Sequence, residues 1–151
     1  MLATTPVRVA HHQWPVRVYW EDTDAGGIVF YANYLKFFER ARTEWLRTLG
    51  VQQAQTKQDQ GGMFVVSETS VRYHQPSRLD DALTVDTQLV TCGRASMVLA
   101  QSAWLDNQLL CSATIKVGWV SDTTLKPARL PATLYALLSN VLTNTAASQT
   151  T

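Results

Sequence analysis

The stretch NYLKFFERARTEWLRTLG, residues 33–50, decides the fold. Tyr34, Phe38, Ala41, Trp45 and Leu49 recur at helical spacing while Lys36, Arg40, Thr43, Glu44 and Arg47 share the opposite face, so the segment reads as one long amphipathic helix. Asn33 is placed to cap its start and Gly50 to turn the chain just past its end, with Arg40 and Glu44 four residues apart on the polar face. Adding Leu35, Phe37 and Leu46 widens the apolar arc to roughly 180°, more than a simple surface helix requires. Arg42 intrudes on that arc, where a long stem lets the charge snorkel. Something must wrap around this helix.

Working outward, residues 15–22 carry Val16, Val18, Tyr19 and Trp20 and favour a strand that stops at Thr23-Asp24-Ala25-Gly26-Gly27. Downstream, residues 63–75, 82–92, 95–106 and 108–121 are strand-like and joined by short turns such as Asp106-Asn107. In the last of them Cys111, Ala113, Ile115, Val117 and Trp119 alternate with Ser112, Thr114 and Lys116, so one face is apolar and the other part-polar. One strand before the helix and four after it give an α+β class: a curved antiparallel five-stranded sheet wrapped around one long helix. A short helix over residues 133–142 follows Pro131. A single domain is expected over residues 14–142, between an N-terminal arm (1–13) and a C-terminal tail (143–151) that lack a periodic pattern and are expected to be flexible.

Composition narrows the class. With 151 residues, 46% hydrophobic, 17% charged and only 2 Cys, the chain is neither disordered nor a disulfide scaffold. A net charge of +1 is too small for a nucleic-acid footprint. The uncharged run over residues 130–151 is broken throughout by Thr, Ser, Asn and Gln, so no membrane span is expected. The N-terminus lacks a signal-peptide pattern, so a cytoplasmic setting is expected. No Cys or His spacing suits a metal, and none is expected, nor any cofactor.

Chemistry concentrates in residues 21–33, where carboxylates and two glycines stand directly before a helix start. A helix N-terminus offers unpaired N–H groups and partial positive charge, which suit the oxyanion formed when an ester or thioester carbonyl becomes tetrahedral. A carboxylate beside it can attack that carbonyl or activate water. Gly26 and Gly27 allow close backbone approach to a ligand. Taken alone, Asp22 and Asp24 also describe a wet turn. A calcium loop fits worse, because its twelfth position is Asn33 rather than Glu and Ala25-Gly26 breaks the ligand series. Nucleophile-elbow, phosphate-loop and zinc-helix signatures are missing. His74 reads as a strand-end residue and residues 76–81 as a polar hairpin connection. In the turn Cys92-Gly93-Arg94-Ala95-Ser96, a cation and a hydroxyl suit phosphate, or simply solvent.

Residues 16–50, VRVYWEDTDAGGIVFYANYLKFFERARTEWLRTLG, together with the later P-S-R-L-D-D turn, closely resemble the YbgC-like acyl-CoA thioesterases of the 4-hydroxybenzoyl-CoA thioesterase group, in the hotdog superfamily. The resemblance implies a hotdog fold and hydrolysis of acyl-CoA thioesters. It makes Asp24 the catalytic carboxylate, acting as nucleophile or general base, and gives the Tyr31 backbone N–H to the thioester oxygen. It places Gly26, Gly27, Ile28, Phe64, Val65, Val66 and Ser67 against the substrate and Arg94 and Ser96 against CoA. Met63 stands where the hydroxybenzoyl branch has a threonine, which favours an aliphatic acyl group. Dimers, or dimers of dimers, with sites shared between subunits are implied, and acyl carrier protein is an alternative thioester donor. Two other readings stay open: a non-catalytic acyl-CoA or acyl carrier protein binding module, and a hotdog dehydratase, which would need a His in the Asp24 loop.

Overall fold

Helix α1 forms as expected, over Asn33–Thr48, and the chain leaves it at Gly50 with φ 84°, a left-handed conformation that glycine adopts without strain. The structure, a computed structural model, describes residues 10–149. Most of the expected N-terminal arm (residues 1–9) and the end of the tail (150 and 151) therefore lie outside the described residues. Around α1 the order is β1 (His12–Arg17), α1, α2 (Gln53–Gln60), β2 (Gly62–Tyr73), β3 (Ala82–Cys92), β4 (Ser96–Leu105), β5 (Gln108–Ser121) and α3 (Ala132–Gln149). The strands make one five-stranded sheet in the order β1-β3-β4-β5-β2. β1 runs antiparallel to β3, with His12 opposite Thr87 and Arg17 opposite Ala82.

Three local expectations change. The first strand ends at Arg17, and Trp20–Asp22 close a single 3-10 turn instead, because the Asp22 carboxylate accepts the Tyr19 N–H at 2.8 Å. Asn33 is the first helical residue rather than a cap; its side-chain amide donates to the Asp22 carbonyl at 2.8 Å. Helix α3 runs on to Gln149, past residue 142. Helix α2 (QAQTKQDQ) had no periodic signal, since it buries no residue and so needs no apolar stripe.

The chain divides into two compact units, through which α1 and the long strands pass. The first comprises, of the described residues, 10–45, 70–88 and 101–113. Its core holds Val16, Val18, Phe37, Phe38, Ala41, Trp45, Leu83, Val85 and Leu110, the large side chains contributing about 1.5–3 kcal/mol each. Buried Gln101 joins the layers by donating to the Phe38 carbonyl and to Thr87 Oγ1, both at 2.9 Å. Arg42 Nη1 reaches Gln101 Oε1 at 3.5 Å, so the charge intruding on the apolar arc meets a polar seam, and burial pushes its pKa down.

The second unit comprises residues 46–69, 89–100 and 114–149. Leu46, Val51, Met97, Leu99, Ile115, Trp119, Leu130, Leu134 and Leu138 fill its core. Gly62 is required there: a Cβ on it would lie 2.5 Å from the Trp119 ring. Among the described residues no helix is long and apolar enough to cross a membrane.

Candidate active site

The Asp24 loop is a miniature hairpin. Thr23 pairs antiparallel with Val29, the Asp24 N–H donates to the Ile28 carbonyl at 2.8 Å, and the Gly27 N–H closes the tip on the Asp24 carbonyl at 3.0 Å. Gly27 takes φ 79°, where a side chain would be strained. Asp24 Oδ1 accepts the Gly26 N–H at 2.8 Å, which fixes the carboxylate's rotamer. Its other oxygen has no hydrogen-bond partner among the described residues, and the side chain is exposed.

The turn at residues 76–81 is more than a connection. Ile28 pairs with Arg78, and the Val29 N–H donates to the Ser77 carbonyl at 2.8 Å, so this turn forms a third rail beside the hairpin. It is rigid in its own right, because Asp81 Oδ2 accepts the Arg78 N–H at 2.8 Å and Val18 exchanges backbone bonds with Asp80 and Asp81. Ser77 is fully buried, and its hydroxyl lies 2.6 Å from that of Tyr34. Burial raises the Tyr34 pKa, with Ser77 partly opposing, so the phenol stays protonated.

Between the hairpin and α1 the Asn33 N–H bonds the Phe30 carbonyl at 2.8 Å, making Phe30-Tyr31-Ala32-Asn33 a β-turn. The N–H of the second residue in such a turn points outward. Among the described residues the Tyr31 N–H has no acceptor. Beside it opens a recess of about 560 Å³, solvent included, lined by Ile28, Val29, Tyr31, Tyr34, Tyr73, His74, Gln75 and Pro76. Of the residues expected on this loop, Ile28 and Tyr31 line the recess, while Asp24, Gly26 and Gly27 stand on the adjoining hairpin and are not part of its lining.

Tyr73, His74, Tyr34 and Ser77 were not singled out by sequence as site residues. His74 is held by Ser112, whose Oγ lies 2.9 Å from Nε2. The remaining expected residues belong to the second unit. Phe64 packs edge-on against Trp119 at 5.1 Å, Val65 and Val66 are exposed, and Ser67 Oγ donates to the Lys116 carbonyl at 3.3 Å. Arg94 lies over the Tyr135 ring, 5.2 Å from its centroid, and Ser96 accepts the Gly93 N–H through its carbonyl at 2.7 Å.

The family model of the thioesterase-like superfamily matches residues 18–138. The acyl-CoA thioesterase YbgC of Haemophilus influenzae is 43% identical over 118 residues, covering 78% of this chain and 87% of the relative. The acyl-CoA thioester hydrolase YbgC of Escherichia coli O6:H1 is 42% identical over 125 residues, covering 82% and 92%. Among solved structures, a probable thioesterase from Bartonella henselae superposes with a TM-score of 0.76 at 32% identity, over 80% of this chain and 98% of the other. A DHNA-CoA thioesterase from Staphylococcus aureus superposes with a TM-score of 0.85 over 91% and 94%; at 20% identity that likeness speaks for the fold alone. The chain belongs to the thioesterase-like superfamily, as a YbgC-like member with the hotdog fold.

Proposed function

We propose that the protein hydrolyses acyl-CoA thioesters to the free acid and CoA at the Asp24 loop. The observation that carries this reading is the Asp24 carboxylate, one oxygen fixed by Gly26 and the other open, on the hairpin that leads into the unpaired Tyr31 N–H. The thioester carbonyl oxygen accepts that N–H and gains negative charge as the carbon becomes tetrahedral, and a preorganised donor stabilises that charge without reorganising. Asp24 either attacks the carbonyl carbon, expelling CoA thiolate and leaving an acyl-aspartyl anhydride for water to cleave, or takes a proton from the water that attacks directly. Both routes consume one water, release acid and thiol, and call on no cofactor.

Gly26, Gly27 and Ile28 are assigned to the thioester, and Phe64, Val65, Val66 and Ser67 to the acyl group. Arg94 and Ser96 are assigned to the CoA phosphates, Arg94 supplying a positive charge that Tyr135 holds in place. A homodimer or dimer of dimers is part of the reading. β2 is an edge strand exposed along most of its length, Val65 and Val66 included, and natural sheets seldom leave such an edge bare. Acyl carrier protein thioesters are the alternative donor, and the cytoplasm is the proposed setting.

Thiol release from short aliphatic, palmitoyl and aromatic acyl-CoAs, followed with Ellman's reagent, tests the reading. Asp24→Asn keeps an oxygen for the Gly26 N–H, so it should fold and lose at least about two orders of magnitude in rate. A variant that keeps most of its activity would remove Asp24 from the chemistry. Acyl-CoA bound stoichiometrically and recovered intact would replace the hydrolase with a binding module.

A further inference from the structure

The carbonyl of Tyr31 is left outside the α1 ladder. The first turn of the helix is tight: the Leu35 N–H donates to the Ala32 carbonyl at 3.1 Å, an i to i+3 bond, instead of reaching back to Tyr31. A backbone carbonyl in that position needs a side chain or water. Here Tyr73, the last residue of β2, donates its hydroxyl to the Tyr31 carbonyl at 2.9 Å.

The Tyr73 ring is itself well placed. It meets the Tyr31 ring edge-on at 6.2 Å and the Tyr34 ring at 5.9 Å. Tyr34 in turn is held by Ser77 and by an edge contact with Phe37 at 5.7 Å. Burial raises the Tyr73 pKa, so its hydroxyl is a proton donor throughout the neutral range. Two restraints therefore bracket the turn: the Asn33 N–H on the Phe30 carbonyl, and the Tyr73 hydroxyl on the Tyr31 carbonyl. The Tyr31 N–H shares its planar peptide unit with the Phe30 carbonyl, which the Asn33 N–H holds, while the Tyr31 carbonyl belongs to the next unit. Tyr73 thus pins the plane on the far side of the Tyr31 Cα, and with both planes held the φ and ψ that set the direction of the N–H have little freedom.

We infer that Tyr73 is a positioning residue for thioester hydrolysis: its hydroxyl, acting through the Tyr31 carbonyl, aims the Tyr31 N–H at the developing oxyanion. This rests on the proposed role of Tyr31 and adds to it a group from another strand, 42 residues away in sequence. The Tyr73 hydroxyl touches no reacting atom. Its effect belongs in kcat rather than KM, since the donor matters most when negative charge has developed.

Tyr73→Phe removes the hydroxyl and keeps the ring contacts. In the full-length chain, with an acyl-CoA whose turnover depends on Asp24, kcat should fall about tenfold with KM unchanged, as expected for a misaimed rather than a deleted donor. The 15N order parameter of the Tyr31 amide should fall with it while that of Phe37 holds. An unchanged kcat, or a loss carried by KM, overturns the inference. A Tyr31 amide as ordered as in the wild type overturns the positioning mechanism alone. Wild-type turnover that Asp24→Asn does not reduce overturns the reading of the site itself, and this role with it.

Discussion

Tyr34 Oη and Ser77 Oγ lie 2.6 Å apart, one on α1 and the other in the turn that rails the Asp24 hairpin, and both residues are buried. The bond ties the helix to the support of the Asp24 loop across 43 residues of sequence. Tyr34→Phe would leave the Ser77 hydroxyl buried without that partner. The expected cost is about 1–3 kcal/mol, the penalty for stranding a buried polar group. Urea unfolding measures it, and a change within about 0.3 kcal/mol would show that the pair contributes nothing net.

Gly62 tests the packing of the second unit. A methyl group there meets Trp119 ring atoms at 2.5–2.6 Å, and that ring is buried and stiff. Gly62→Ala should therefore destabilise by about 1–3 kcal/mol through overpacking. A melting temperature equal to the wild type would mean that the ring shifts freely.

The two cysteines should stay silent in the native protein. Cys111 is fully buried, which pushes its thiol pKa up to about 12, and burial raises Cys92 as well. Thiolate is the reactive form, so both should titrate slowly with Ellman's reagent when folded and fast in urea. Rapid native reaction at Cys111 would contradict its burial. A quiet background also makes the same reagent usable for following CoA release.

Acid should weaken the fold through β1. His12 stacks on Trp14 at 6.2 Å, and its Nδ1 is buried with no hydrogen-bond partner among the described residues. Burial lowers its pKa from 6.5, with Glu44 partly opposing, and burial lowers that of His11 as well. As pH falls through about 6.5 the unfolded chain takes up protons that the folded chain refuses, so stability drops until pH passes below the folded-state pKa, then levels off. Urea midpoints at about pH 7.5 and about pH 5.5 should differ in the wild type and differ less in His12→Gln. Equal differences in the two proteins would clear His12 of the effect.

How much of this was legible beforehand depends on whether the signal was local. Helix α1 is marked by its own apolar spacing and by Gly50, and β2 to β5 by alternation, so their limits fall close to those read from sequence. The Asp24 loop was legible because carboxylates, glycines and a helix start are contiguous. Tyr73 and Ser77 were not, since each acts through a bond to a residue more than forty positions away, which no window of sequence displays. Helix α2 escaped for the opposite reason: none of its residues is fully buried, so no apolar stripe marks its pattern.

The sheet order β1-β3-β4-β5-β2 also sets a timetable. The three middle strands are sequential hairpins whose loops close at small entropic cost, whereas β1 must find β3 from His12 to Thr87 and β2 must return to β5, as where the His74 N–H meets the Leu110 carbonyl. The strand that delivers Tyr73 is thus expected to dock after the meander has formed. Folding φ-values should be near zero at Tyr73 and higher in the β4–β5 hairpin, and the opposite ranking would refute the sequence of events. On that schedule a half-folded chain would hold the Asp24 loop before Tyr73 reaches the Tyr31 carbonyl, and the part of the rate proposed to depend on that bond would appear only once β2 has docked.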